Sequence, residues 1–184
     1  MRKIFLFMLV SVDGYFEGPN HDLSWHNVDA EFSAFANEQL GDIGTLLFGH
    51  RTYELMAGVW PAPLGTMANP TTAKLMNTIS KVVVSRALFN AGWNNTAVVS
   101  GDAIGGIKEL KKLPGKDIAI FGSNNLLVSL MEHDLVDEFR IMVNPVALGR
   151  GTPLFAGLGK RVPFRLVGTR RFKSGNVLNY YVRA

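Results

Sequence analysis

The chain has 184 residues, is 47% hydrophobic and carries a formal net charge of +4. That length and composition exclude a disordered chain and predict a single domain over residues 1–184. The sequence has no cysteine, which excludes disulfides and thiolate metal ligands and is typical of a protein in the reducing cytoplasm.

The first predicted element is a buried strand over residues 3–11. Arg2 and Lys3 followed by an apolar run imitate the start of a secretory signal, but the run is short and Asp13 lies where cleavage would be expected. A buried strand explains the pattern better. No other stretch approaches the roughly 20 apolar residues that span a bilayer, so we expect no membrane partner.

Strands and helices alternate along the rest of the chain. Residues 29–40 form a helix with Phe32, Phe35 and Leu40 on one face and Asp29 as N-cap. The later predicted elements are a strand at 46–48, a short helix from 52, a helix at 71–79, strands at 81–85 and 97–100, a helix at 102–113, a strand at 117–121, a helix around 126–131, a strand at 138–143, and a hairpin of 164–172 with 177–183.

This alternation predicts an α/β fold with a mostly parallel sheet covered on both faces. The C-terminal hairpin adds antiparallel strands at one edge. In such sheets ligands bind beyond the carboxyl ends of the strands. The residues at those ends therefore indicate where a site would lie.

Small and polar residues follow the predicted strands. Two strand ends run directly into helices, at Gly49 and Gly122, and the free N–H groups and positive dipole of a helix start favour a phosphate. Ser85 and Arg86 are suited to a further anion. The pattern favours a dinucleotide that carries an additional phosphate.

Other common sites are not indicated. Neither G-x-G-x-x-G after a strand nor the P-loop motif occurs. His21 and His26 lack metal-ligand spacing, so we expect no metal. The segment 139–184 has no Asp or Glu, but its basic residues are interleaved with strand residues, so we expect a solvated hairpin face and no nucleic acid partner.

Several segments, in this order, resemble one known superfamily. They are FMLVSVDGYFEG, DLSWH, LLFGHRTYELM, KVVVSRAL, VVSGD, IAIFGSNNL and LVDEFRIMVNPVALGRGTPLF. Together they resemble the dihydrofolate reductase-like superfamily, and more closely its RibD C-terminal domain group of riboflavin-biosynthesis reductases. The resemblance implies a dihydrofolate reductase-like three-layer α/β/α fold with a mixed, mostly parallel central sheet and a C-terminal antiparallel hairpin.

The resemblance also implies NADPH as cofactor and a set of residues that bind it. The cofactor phosphates would contact Gly49, His50, Arg51 and Thr52, and the 2′-phosphate would contact Ser85 and Arg86. The adenine would lie against Ser100 and Gly101, and the nicotinamide against Val10 and Ser11. The pyrophosphate would contact Gly122, Ser123, Asn124 and Asn125. A mobile loop, Gly14 to Trp25, would close over the nicotinamide and exclude water.

The catalytic group is less defined. Folate enzymes carry a carboxylate at the position where this chain has Ala30, and Asp29 and Glu31 flank that position. Adjacent helix positions point about 100° apart, so neither flanking carboxylate would point into the pocket as the folate enzymes' carboxylate does. Folate reduction is therefore disfavoured. The candidates to contact substrate or supply a proton are Asp13, Trp25, Asp29 and Glu31. The alternatives are a turn acceptor for Asp13, a core aromatic for Trp25 and a helix cap for Asp29.

The predicted function is an NADPH-dependent reductase of a small heterocyclic, pterin- or pyrimidine-like substrate. It is similar to dihydrofolate reductase or 5-amino-6-(5-phosphoribosylamino)uracil reductase. Tyr53 and Trp60 are candidates to stack on a planar substrate. The alternative is a non-catalytic NADP(H)-binding or sensor protein of the same fold.

A homodimer is the predicted assembly. The family resemblance implies it, and the segment NPVALGRGTPLF places Val146, Ala147, Leu148, Leu154 and Phe155 in a loop-like context. Exposed apolar residues in a loop mark interfaces.

Overall fold

The computed structural model of the protein describes residues 1–88 and 90–184. The strands are β1 (Ile4–Val10), β2 (Tyr15–Glu17), β3 (Ile43–Gly49), β4 (Ser80–Val84), β5 (Thr96–Val99), β6 (Asp117–Ile120), β7 (Glu138–Val143), β8 (Thr152–Pro153), β9 (Phe164–Arg171) and β10 (Val177–Arg183). The helices are α1 (Ala30–Gly41), α2 (His50–Val59), α3 (Pro63–Ala68), α4 (Pro70–Thr78), α5 (Ala103–Lys112) and α6 (Asn124–Glu132).

The main sheet has eight strands in the order β5-β4-β3-β6-β1-β7-β10-β9. From β5 to β7 all neighbours run parallel. The C-terminal strands β10 and β9 are antiparallel and form one edge. This order confirms the predicted mixed, mostly parallel sheet with a terminal hairpin. The carboxyl ends of the six parallel strands all lie at the same end of the sheet.

Both faces of the sheet are covered. Alternate residues of each strand point to opposite faces, and in β1 both sets are buried. In β1, Leu6 and Met8 belong to one buried apolar cluster, whereas Phe5 and Phe7 belong to the other. The run of consecutive apolar residues that imitated a signal sequence is therefore a strand buried on both sides. No helix in the described residues is long and apolar enough to cross a bilayer.

Three short elements are not predicted from the sequence. The proline-containing segment 60–69 contains α3, and β2 pairs with β8 as a separate antiparallel two-stranded sheet. Gly151, at φ +150°, lies so close to β2 that an added Cβ would come within 2.2 Å of the Glu17 carbonyl oxygen. The predicted mobile loop is thus joined at its first residues to the segment around β8.

The loop assigned to a dimer interface faces largely inward, which corrects that interpretation. Leu154 is only 3% exposed and belongs to the core, and Phe155 packs against the same cluster. Val146 and Leu148 are half-buried, and Ala147 is exposed. Packing within one chain explains the largest apolar residues of this segment, Leu154 and Phe155. The prediction of a homodimer therefore loses most of its sequence support and depends mainly on the family resemblance.

Candidate functional site

A polar groove runs along the carboxyl ends of β3, β4 and β5. Its volume is about 800 Å³. Most of the residues predicted to bind the cofactor line it: Gly49, His50, Arg51, Ser85, Arg86, Ser100, Gly101, Ser123 and Asn125. These residues are brought together because parallel strands end at the same edge of the sheet.

Two helix starts meet in this groove. The helices α2 and α6 both begin without a side-chain cap, at Gly49 and Ser123. The N–H of Gly49 donates to the carbonyl of Gly122 at 3.0 Å, and a Cβ on Gly49 would come within 2.4 Å of the Ser123 Oγ. Glycine at position 49 therefore lets the two helix starts approach, and both present free N–H groups that suit an anion.

Positive side chains surround these helix starts. Arg51 and Arg86 are exposed, and no carboxylate among the described residues forms an ion pair with either. His50 bridges the groove through Nδ1, 2.9 Å from the Ser85 Oγ. The Ser85 Oγ also accepts from the N–H groups of Ala87 and Leu88, which fixes the turn that carries Arg86.

An apolar cavity of about 340 Å³ lies beside the groove. Its walls come from β1, from β2 and the segment after it, and from helices α1, α2 and α4. Thr52 and Gly122 line this cavity, whereas their neighbours Arg51 and Ser123 line the groove. A Cβ on Gly122, which has φ +119°, would come within 2.6 Å of the Thr52 Oγ1. The groove and the cavity therefore adjoin where α2 starts beside the Gly122–Ser123 peptide, which is cis.

Aromatic rings form much of the cavity wall. Phe7 lies 6.4 Å from Phe32 and 5.7 Å from Phe121 between ring centroids, and all three line the cavity together with Trp60. Tyr53, the other predicted stacking residue, is buried in the core, where its hydroxyl accepts from the N–H of Trp93. The cavity suits a flat ring.

Asp13 and Trp25 make contacts within the fold and do not line the cavity. The carboxylate of Asp13 accepts from the Ser11 Oγ at 2.6 Å and from the N–H groups of Leu148 and Gly149. The Nε1 of Trp25 donates to the carbonyl of Asp22 at 3.0 Å. The turn-acceptor interpretation of Asp13 agrees with these contacts.

Asp29 and Glu31 are also held away from the cavity. Asp29 caps α1 by accepting from the N–H of Phe32 at 2.8 Å, and Glu31 accepts from the N–H of Lys173 at 2.8 Å. Ala30, at the position of the folate enzymes' carboxylate, is exposed. The helix α1 thus offers no carboxylate to the cavity, which agrees with the expectation that folate reduction is disfavoured.

Three predicted cofactor residues line neither the groove nor the cavity. Val10 and Ser11 are buried, and the Ser11 Oγ is held by Asp13 and the N–H of Tyr15. Asn124 donates to the carbonyl of Ala156 at 3.4 Å. At the cavity, β1 contributes Phe7, Met8 and Leu9 instead.

His26 is a polar residue of the cavity for which the sequence predicted no role. It lines the cavity, and its Nε2 is buried without a hydrogen-bond partner among the described residues. Burial lowers the pKa of the His26 imidazole, against the smaller opposing effects of a hydrogen-bonding contact with the Phe16 backbone and of the Asp22 carboxylate. The only sequence signal was a histidine next to the tryptophan of the predicted loop.

Solved structures identify the class of fold. A putative riboflavin biosynthesis protein from Shewanella sp. PV-4 superposes with a TM-score of 0.74 at 20% identity, over 100% of this chain and 99% of that chain. A dihydrofolate reductase from Enterococcus faecalis, solved with NADP(H), gives a TM-score of 0.66 at 16% identity, over 98% of this chain and 96% of that chain. The fold is that of the dihydrofolate reductase-like proteins, as predicted.

Sequence comparison narrows the class to one family. The family model of the RibD C-terminal domain matches residues 2–178. The uncharacterized protein YyaP of Bacillus subtilis (strain 168) is 34% identical over 182 residues, which cover 98% of this chain and 94% of the relative. The chain belongs to the RibD C-terminal domain family.

Proposed function

We propose that the protein is an NADPH-dependent reductase that transfers a hydride to a small planar heterocycle, pterin- or pyrimidine-like. The observation that carries this proposal is the contact between the polar groove and the apolar cavity at Thr52 and Gly122. A dinucleotide lying in the groove would place one ring at the cavity, where a flat substrate would meet it.

The groove residues fit the chemistry of this cofactor. The uncapped N–H groups of α2 and α6 would bind the phosphates, and Arg86 beside Ser85 would bind the additional phosphate. NADPH would supply the hydride, while the chain orients both reactants and excludes water. The Enterococcus dihydrofolate reductase of the same fold is described with NADP(H), which supports the choice.

Coenzyme selectivity tests the proposal. Replacing Arg86 by glutamine, R86Q, should weaken NADPH binding about tenfold or more, because a charge-assisted phosphate contact is lost. NADH binding should not change, since NADH lacks that phosphate. Quenching of tryptophan fluorescence by each coenzyme measures both affinities.

The matched control is R171Q, since Arg171 is an exposed arginine on β9, at the opposite edge of the sheet from the groove. It should leave both affinities unchanged. Equal loss of NADH and NADPH binding in R86Q, or tighter binding of NADH than NADPH by the unaltered protein, would contradict the cofactor assignment.

A second candidate is a non-catalytic NADP(H)-binding or sensor protein. It is favoured by the positions of Asp13, Trp25, Asp29 and Glu31, which are held by the fold and do not line the cavity. NADPH binding without NADPH oxidation across pterin, flavin-precursor and quinone substrates would support this candidate. Oxidation with any of them would exclude it.

A further inference from the structure

The cavity wall is poor in charge. Among the described residues that line it, none is a lysine or an arginine, and Glu17 is the only one with a carboxylate. Both oxygens of that carboxylate are engaged, Oε1 by the Thr152 Oγ1 at 2.7 Å and Oε2 by the His21 Nδ1 at 3.0 Å. A phosphate or carboxylate carried into this cavity would lose its hydration without gaining a cationic partner.

Contacts of His26 and its neighbours position the imidazole at the same wall. Its ring packs edge-on against Trp25, with centroids 4.5 Å apart. The next residue, Asn27, donates to the Asn144 Oδ1 at 2.8 Å and accepts from the Asn176 Nδ2 at 2.8 Å. The imidazole is therefore positioned by contacts on either side, which suits a group that must meet a ligand without rearranging.

The unpaired Nε2 of His26 is a feature that needs an explanation, because buried polar atoms normally have a hydrogen-bond partner. An uncharged imidazole has one N–H donor and one acceptor nitrogen. Either group would pair with a ring nitrogen, an N–H or a carbonyl of a heterocycle. The lowered pKa of His26 favours this uncharged form.

We propose that the cavity selects an uncharged planar ring compound that hydrogen-bonds to the Nε2 of His26, and that it rejects phosphorylated or carboxylated rings. This inference rests on the proposed function for the reaction, but the binding it describes is measurable without turnover. It separates this protein from a reductase of phosphoribosylated pyrimidines, since such a substrate needs a cationic partner that the cavity wall does not offer.

A matched pair of fluorescent ligands tests whether the cavity prefers an uncharged ring to an anionic one. The neutral 6-hydroxymethylpterin and the anionic 6-carboxypterin share one ring system, and their fluorescence anisotropy reports binding to the protein with and without NADP⁺. The neutral pterin should bind about tenfold tighter or more, because the unpaired carboxylate is desolvated. Equal or tighter binding of 6-carboxypterin, or no binding of the neutral ligand, would overturn the proposal.

Variants at position 26 test the hydrogen bond. His26→Ala should weaken binding of the neutral pterin about tenfold. His26→Gln should recover part of that loss in affinity, because the glutamine amide offers both a donor and an acceptor. The control is His133→Gln, at the end of α6, where Nδ1 lies 2.9 Å from the Ser129 carbonyl. It should bind like the unaltered protein.

The outcomes separate this inference from the proposed function. Unchanged pterin affinity in His26→Gln and His26→Ala, with unchanged thermal melting, would overturn the inference even if NADPH is oxidised. Absence of NADPH binding in the coenzyme titration would remove the proposed function while the pterin selectivity stands. If His26→Ala fails to fold, the pterin affinity of His26→Gln is compared with that of His133→Gln, and equal affinities would overturn the inference.

Discussion

Asp13 connects the turn after β1 to the segment around Leu148, which is distant in sequence. It follows the first strand, near the expected nicotinamide site, yet its carboxylate joins Ser11 to the N–H groups of Leu148 and Gly149. Those contacts, led by the Ser11 hydroxyl and then the Gly149 N–H, lower the pKa of Asp13 to about 2. We infer that Asp13 fastens the segment around Leu148.

The pH dependence of this contact follows from the sign of the shift. An acid whose folded pKa lies below its unfolded value of about 3.9 stabilises the fold above that value, and the contribution is lost as pH falls through the folded pKa. Protection of the Leu148 and Gly149 amides against hydrogen exchange should therefore decline between roughly pH 4 and pH 2. Exchange monitored by NMR, corrected for the intrinsic rate, checks this.

The same contact predicts the effect of Asp13→Asn at neutral pH. The amides of Leu148 and Gly149 should lose protection, because a neutral amide oxygen is a weaker acceptor than a carboxylate. Asp42→Asn is the control, since Asp42 is an exposed aspartate whose carboxylate makes no hydrogen bond among the described residues. Unchanged exchange in Asp13→Asn would show that the carboxylate does not hold this segment.

At the scale of elements, α4 and β4 are joined by a buried lysine. Lys81 is 1% exposed, and its Nζ donates to the carbonyls of Met76 and Ile79 at 2.8 and 2.7 Å. The same ammonium lies 4.5 Å from the centre of the Trp93 ring. Because the last carbonyls of a helix have no partner within the helix, Lys81 completes the end of α4.

Lys81→Ala should lower the free energy of unfolding by about 2–4 kcal/mol, since buried carbonyls lose their donor and a cavity is left. Urea denaturation measures the change. Lys74→Ala, at an exposed position of α4, should cost less than about 0.5 kcal/mol. If Lys81→Met were as stable as the unaltered protein, the aliphatic stem rather than the hydrogen bonds would be the stabilising part.

The fold and the position of the polar groove could be predicted from sequence because their signals are local. Strand and helix periods lie within single segments, and parallel strands bring Gly49, Ser85 and Gly122 to one edge without further information. The apolar cavity could not be predicted in the same way. Its walls join residues far apart in sequence, such as His26, Trp60 and Phe121. The strands β2 and β8 are also too short to show a period.

For the whole molecule, the homodimer stays a prediction. The segment 144–155 gives it little support, but Leu64 and Met67 on α3 are 81% and 80% exposed, so apolar surface is present elsewhere. We expect a dimeric mass in sedimentation at micromolar concentration. A monomeric mass across that range would contradict the prediction and leave α3 as exposed surface of a single chain.

The pairing of β2 with β8 bears on how the ligand preference of the cavity could be changed. Glu17, which lines the cavity, is tied to Thr152, and Gly151 presses against the same backbone. Mutations at 148–153 should therefore alter ligand preference without touching the ligand. Directed evolution confined to cavity-facing positions would miss this indirect effect on ligand preference. A library that varies the cavity-facing positions and residues 148–153 together would include it.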